Sequence, residues 1–357
     1  MRITFFGSSI TSAYWNGAAT YYRGICRALY RLGHQPVFVE QDIYERQQHR
    51  DMQQDPEYAE VVVCRDLSDL EGELVRARDS DLVVKCSGVG RYDELLDDAV
   101  LAARTHTNRV AYWDVDAPFT LDQAKASPEW YFRRLVPRYD AVLTYGGGPK
   151  VVDGYRSLGA KHVELVYNAL DPDTHYPVEP DPEYRCDLLF VGNRLPDREA
   201  RVSRFFLEAA QLCPDRRFLL GGEGWGDKLL PPNVRYLGHV PTGMHNLLNC
   251  SARLVLNVNR QAMADYGFSP PTRVFEAAGA GACLVTDRWT GIEHFLTPGA
   301  EVLVASGPEE VAALVSTVDT DRAAAIGLAA RRRILADHTY DRRAIQLQGF
   351  FARLFAQ

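Results

Sequence analysis

The stretch SPPTRVFEAAGAGA, from Ser269 to Ala282, gathers the pieces of an anion site into one short span. Ser269 can cap a helix whose first turn holds Pro270 or Pro271, leaving backbone N–H groups free at a positive helix end that attracts phosphate. Thr272 and Arg273 fall in that first turn, where a guanidinium can grip a diphosphate through two parallel bonds. Glu276 follows one turn later on the same face, where a carboxylate can accept two ribose hydroxyls. The plainer reading of these residues is an amphipathic helix carrying a surface Arg-Glu pair, with AAGAGA packing it closely on a sheet.

A second pair of groups lies in YWDVDAP, where Asp114 and Asp116 end a strand two residues apart. One of them can act as the general base that deprotonates an acceptor hydroxyl. As a D-x-D pair they can instead hold a divalent metal, or simply cap the Ala-Pro turn that follows. The loop GSSITSAYWNG supplies hydroxyl and amide groups from Ser9, Thr11 and Asn16, and in Tyr14 and Trp15 the apolar faces on which sugar rings lie. Gly17, where a helix is expected to start, permits close approach of a donor phosphate or sugar; the alternative is a turn with Asn16 as N-cap. Tyr145 in TYGGGPK is expected at another strand end. The nine histidines show no H-x-x-x-H or H-E-x-x-H spacing, and no G-x-S-x-G elbow or P-loop is present, so neither a metal nor a bound cofactor is expected.

Strands and helices in alternation must carry these groups. RITFFG, PVFVE, DLVVKCSG, NRVAYWDV, DAVLTYG and HVELVYN are short apolar runs separated by helical periodicity, the pattern of a parallel sheet covered by helices. The Pro-rich, acidic stretch NALDPDTHYPVEPDPEYR breaks the pattern, after which CDLLFVGN, a helix from about Glu199 to Cys213, RFLLGG, NVRYLGHV, RLVLNVN, a helix near Pro271, ACLVTD and EVLVA restart it. Two Rossmann-like halves follow, and in such sheets ligands bind at the carboxyl ends of the strands. Gly192, Asn193 and Arg194 end one strand, where a tight turn can approach a phosphate and Arg194 can neutralise it. Asn259 and Arg260 end another. With 357 residues, two domains are expected, and 40 Lys+Arg against 47 Asp+Glu give a net charge of -7, which supplies no global field for nucleic acid. Neither a membrane span nor a signal peptide is visible, and seven scattered cysteines fit reduced thiols in a cytoplasmic protein.

The segment FSPPTRVFEAAGAGACLVTDRWTGIEHFLTPGAEVLVA, with LVLNVNR before it and RRRILADHTYDRR after it, resembles the C-terminal half of glycosyltransferases with the GT-B fold, and more closely the CgeB-like branch named for a spore maturation protein. GSSITSAYWNGAATYYRGICRAL, YWDVDAP and NALDPDTHYPV are similar to that branch as well. The resemblance implies two facing α/β domains with parallel sheets and an interdomain cleft: residues 1–170 for the acceptor, 171–335 for the nucleotide sugar, and a tail helix over 336–357 crossing back. It implies a soluble, metal-independent glycosyltransferase whose nucleoside-diphosphate sugar is a co-substrate, and it assigns Glu276 to the ribose. Gly222-Glu223 and His239-Val240 resemble loops that hold the base in this fold. Related retaining enzymes often carry a glutamate where this chain has Phe268. A sugar-nucleotide epimerase and a non-catalytic nucleotide-sugar-binding subunit are the alternatives on the same plan.

Overall fold

The computed structural model describes residues 1–14, 16–88 and 90–356, and the chain divides into two compact units, Met1–Tyr167 with Tyr340–Gln357, and Asn168–Thr339. The first unit is built on seven parallel strands: β1 (Arg2–Gly7), β2 (Gln35–Gln41), β3 (Glu60–Cys64), β4 (Leu82–Cys86), β5 (Arg109–Asp114), β6 (Ala141–Thr144) and β7 (Val163–Leu165). They lie side by side in the order β3-β2-β1-β4-β5-β6-β7. Apolar side chains on both faces of β1, β4 and β5 are buried, as a sheet sandwiched between helices requires. β3 was not among the expected strands; EVVVC is short and follows a polar stretch without helical periodicity.

The helix Ala19–Arg31 starts later than expected, and its N-cap, Ala18, makes no side-chain bond. Asn16 is therefore not the cap. Its side chain instead donates to the carbonyls of Ser9 at 2.8 Å and Ser12 at 3.1 Å and accepts from the Ser8 hydroxyl at 3.1 Å, closing the loop after β1 upon itself. The last helix, Tyr340–Phe355, belongs to this unit and packs on Ala19–Arg31. The two approach so closely at Gly24 that a Cβ there would stand 2.1 Å from the Tyr340 ring.

The second unit repeats the plan with β8 (Cys186–Val191), β9 (Phe218–Gly221), β10 (Val234–Gly238), β11 (Ala252–Asn257), β12 (Leu284–Asp287) and β13 (Leu303–Ala305), all parallel. Their order, β10-β9-β8-β11-β12-β13, reverses direction between β8 and β11, and a crevice opens at the carboxyl ends of strands at such a switch point. Leu188, Phe190, Leu254, Leu256 and Val285 form the core beneath it. The expected helix after β8 runs Pro196–Val202, widens into a π turn over Ser203–Glu208 and ends at Leu212. Among the described residues no helix is long and apolar enough to cross a membrane.

Candidate functional site

At the switch point of the second unit, two glycine loops are locked together. Gly192 N–H donates to Gly221 O at 2.8 Å, Asn193 Oδ1 accepts the Glu223 N–H at 2.9 Å, and Trp225 Nε1 donates to Gly192 O at 2.8 Å. Gly222 has φ of +114°, and a Cβ on it would lie 2.4 Å from the Gly192 carbonyl, so only glycine fits. Asn193 and the Glu223 backbone thus build the loop. The Glu223 carboxylate faces His239 Nδ1 at 3.7 Å on the surface, and Val240 packs against Gly221.

Two guanidiniums meet over this loop. Arg273, on the helix Thr272–Gly279, donates to Val191 O at the end of β8 and to Asn257 Oδ1 at the end of β11 at 3.3 Å, bridging the switch point. Arg198, on the helix Pro196–Val202, donates to Asn193 O. Both lie over the Phe190 ring, 5.0 Å and 5.7 Å from its centre, and a Cβ on Gly192 would be 3.0 Å from a terminal nitrogen of each. Burial pulls the Arg273 pKa down to about 10, with Glu276 opposing. Burial, together with the charges of Arg273 and Arg260 and against Asp197, pulls Arg198 down to about 9. Neither arginine forms an ion pair with a described carboxylate, and Arg198 Nε has no partner. Two like charges held together without a counter-ion make a seat for an anion.

Arg198 was not among the expected site residues; Arg194 was, and it points elsewhere. Its guanidinium pairs with Glu199 at 2.7 Å and Asp227 at 2.6 Å and donates to Gly224 O at 3.1 Å, so its charge is already matched. Arg260 likewise pairs with Asp197 at 2.5 Å. Ser269 does not cap the helix: its hydroxyl donates to Gly267 O at 3.0 Å, and Pro271 occupies the N-cap position with Thr272 as the first helical residue. Asn259 is fully buried, taking Asn257 Nδ2 at 2.9 Å and giving its N–H to Asp287 at 3.1 Å, while its own Nδ2 has no partner. Asp287 in turn holds Arg201 at 2.5 Å. Phe268 sits in the left-handed region at φ +45° with its ring over Gly291.

Glu276 lies one turn beyond Arg273, partly buried, with His175 Nε2 4.0 Å away and His245 beside them. The expectation of no metal rests on histidine spacing and on the GT-B resemblance; these three residues come from a linker and two helices that only the fold brings together.

In the first unit the expected groups separate into two kinds. Asp114 is fully buried, accepting the Tyr155 hydroxyl and, at 2.8 Å, the Asp116 N–H, while burial raises its pKa against both bonds. It is a lock on the strand end rather than a base that an acceptor can reach. Ser9 and Thr11 are equally buried, Thr11 donating to Glu40 at 2.6 Å and Ser9 accepting the Ser12 N–H at 3.0 Å; with Asn16 they hold the loop and offer nothing outward. Asp116, Tyr14, Gly17 and Tyr145 keep exposed surface, Tyr14 stacked 4.2 Å from the His49 ring. Trp15 lies outside the described residues.

Residues 198–349, under half of the chain, match the family model described as "Glycosyl transferase-like". Sucrose-phosphate synthase from Thermosynechococcus elongatus superposes with a TM-score of 0.69 at 14% identity, over 100% of this chain and 99% of that one. HepE (Alr3699) from Anabaena, in complex with UDP and glucose, gives 0.68 at 14% identity over 99% and 100%. An alpha-glucosyltransferase in complex with UDP and a 13-mer DNA gives 0.69 at 12% identity over 100% of both chains. No curated protein matches the chain. The structural likenesses show the GT-B fold, and residues 198–349 within it match the glycosyl transferase-like family model.

Proposed function

We propose that the protein transfers a sugar from a nucleoside-diphosphate sugar to an acceptor hydroxyl, with the second unit holding the donor. The observation that carries this reading is the pair Arg198 and Arg273, two part-buried guanidiniums without carboxylates at a Rossmann switch point. A diphosphate supplies the missing charge. Backbone N–H groups at the start of the helix Thr272–Gly279 add donors, and the position of Glu276 one turn along supports the ribose role that the resemblance implies. As the bond to the sugar breaks, negative charge grows on the departing diphosphate, and donors fixed in place beforehand stabilise it without reorganising. The neighbour HepE, solved with UDP, makes UDP the first probe to try.

On the same reading, acceptor recognition belongs to the first unit. With Asp114 taken up by Tyr155, Asp116 is the remaining carboxylate for a base in an inverting reaction; in a retaining one, the donor phosphate takes the acceptor proton. Membership of the CgeB-like branch is supported by the segments quoted above. A cytoplasmic location is supported by seven unpaired cysteines, and a small-molecule acceptor rather than nucleic acid by the net charge of -7. The test is calorimetry with UDP, GDP and ADP on wild type and Arg273→Ala. A nucleotide that binds wild type is expected to bind the variant about 2 kcal/mol more weakly; equal affinity would remove the diphosphate assignment.

A further inference from the structure

Beside the anion seat lies a second cluster, which shares Glu276 with the proposed ribose contact and adds two imidazoles that the transfer reaction does not use. His175 in the linker, His245 at the start of the helix His245–Ser251, and Glu276 each offer one ligand atom, and these atoms lie within 4.8 Å of one another. The proton on His175 can be placed from its neighbours. The Thr174 hydroxyl donates to Asp171 O at 3.1 Å, so it can only accept from His175 Nδ1, 2.9 Å away. A neutral ring then carries its hydrogen on Nδ1 and turns the bare lone pair of Nε2 toward Glu276 Oε1, at 4.0 Å. Two acceptors facing each other across that gap repel, and a cation between them satisfies both.

His245 adds a third donor atom. Its ring nitrogen lies within 4.8 Å of the ligand atoms of both His175 and Glu276. Two imidazoles and one carboxylate, with the Nδ1–H of one imidazole fixed by a hydroxyl, are the donor set of a borderline transition ion. Magnesium and calcium take oxygen ligands and are disfavoured. We propose that His175, His245 and Glu276 form a zinc site with a fourth position open. Zinc–ligand bonds of about 2.0–2.1 Å place tetrahedral ligand atoms roughly 3.4 Å apart, so the pair at 4.0 Å closes by about half an ångström.

The test uses the full chain, stripped of metal and free of nucleotide. Zinc is titrated by calorimetry and cobalt(II) by visible absorption, on wild type and on His175→Gln, His245→Gln and Glu276→Gln, with circular dichroism checking that each variant is folded. The expected result is one equivalent of zinc, a cobalt spectrum without thiolate charge-transfer bands, about tenfold or greater loss of zinc affinity in each folded variant, and no displacement by magnesium. Absence of stoichiometric uptake, uptake unchanged in the His175 and His245 variants, or thiolate bands would overturn the proposal. UDP binding, measured separately on the same protein, tests the donor reading; the zinc result stands or falls without it.

Discussion

Arg198→Met should make the free protein more stable and at the same time a poorer binder of UDP. The Arg198 guanidinium has its pKa drawn from 12.5 to about 9 by burial and by Arg273. One decade is 1.36 kcal/mol, which puts roughly 4–5 kcal/mol on the charged form as an upper value. A guanidinium stays protonated in proteins, so this cost appears as lost fold stability rather than a lost proton. Solvent reaching the side chain screens part of it, and methionine forgoes the stacking on Phe190 and the bond to Asn193 O, each worth about 1 kcal/mol. A net gain of about 1–2 kcal/mol remains, which raises Tm by about 2–8 °C for a unit of this size. The diphosphate meanwhile loses a charge-assisted contact worth about 1.5–3 kcal/mol, or roughly 10- to 150-fold in affinity. Differential scanning fluorimetry with and without UDP reads both effects, because UDP at a hundred times its Kd stabilises the wild type by about 2.7 kcal/mol. A variant that melts lower and binds UDP within twofold of wild type would refute the anion seat.

Three further outcomes follow from the same coordinates. Gly222→Ala places a Cβ 2.4 Å from the Gly192 carbonyl at φ +114°, and should cost about 3 kcal/mol or more in urea unfolding while abolishing UDP binding; a cost below 1 kcal/mol would contradict the locked loop. Asp287→Ala leaves the part-buried Arg201 without its carboxylate and should destabilise by about 2–3 kcal/mol, an effect that Asp287→Asn softens. Burial raises the Asp114 carboxyl, so the folded chain keeps that proton to higher pH than the unfolded chain does, and the wild type loses stability from pH about 4 upward, through the raised value. Asp114→Asn should therefore gain on wild type in urea midpoint as pH rises above about 4 and retain turnover, whereas Asp116→Asn should retain UDP affinity and lose turnover; the opposite ranking of turnover would restore Asp114 as the base.

Both sheets, β3 apart, were legible because the other strands are short apolar runs and the helices between them carry a separate period. Arg273 and Glu276 were legible because three residues of helix put them on one face. Arg198 was not. Arg194 and Arg198 are one turn apart, and which of them turns toward the strand end depends on Asp227 and Glu199, which draw Arg194 outward. Asp114 and Asp116 look alike in sequence, and only Tyr155, arriving from another helix, buries one of them. The hydroxyls of Ser9 and Thr11 suggested an acceptor, but Glu40 on β2 had a prior claim on Thr11 that no local pattern encodes. The histidine cluster has no spacing signature, since its members meet only once linker, helix and helix have packed.

Within one unit, arginines receive two treatments, and the contrast is what makes the site readable. Arg194, Arg201, Arg253 and Arg260 each close on a carboxylate at 2.5–2.7 Å. Acidic residues are therefore not scarce there, and Asp197 stands next to Arg198 in the chain yet turns to Arg260. Were Arg198 and Arg273 merely structural, the cheapest arrangement would give them that carboxylate, or replace them with apolar residues over Phe190. Instead they share one aromatic ring and one glycine, at the strand ends where the topology opens a crevice, and remain unneutralised. On the proposed reading, a fold that leaves two part-buried cations unpaired at that position loses stability without a ligand and recovers it with one, as a preorganised anion site would.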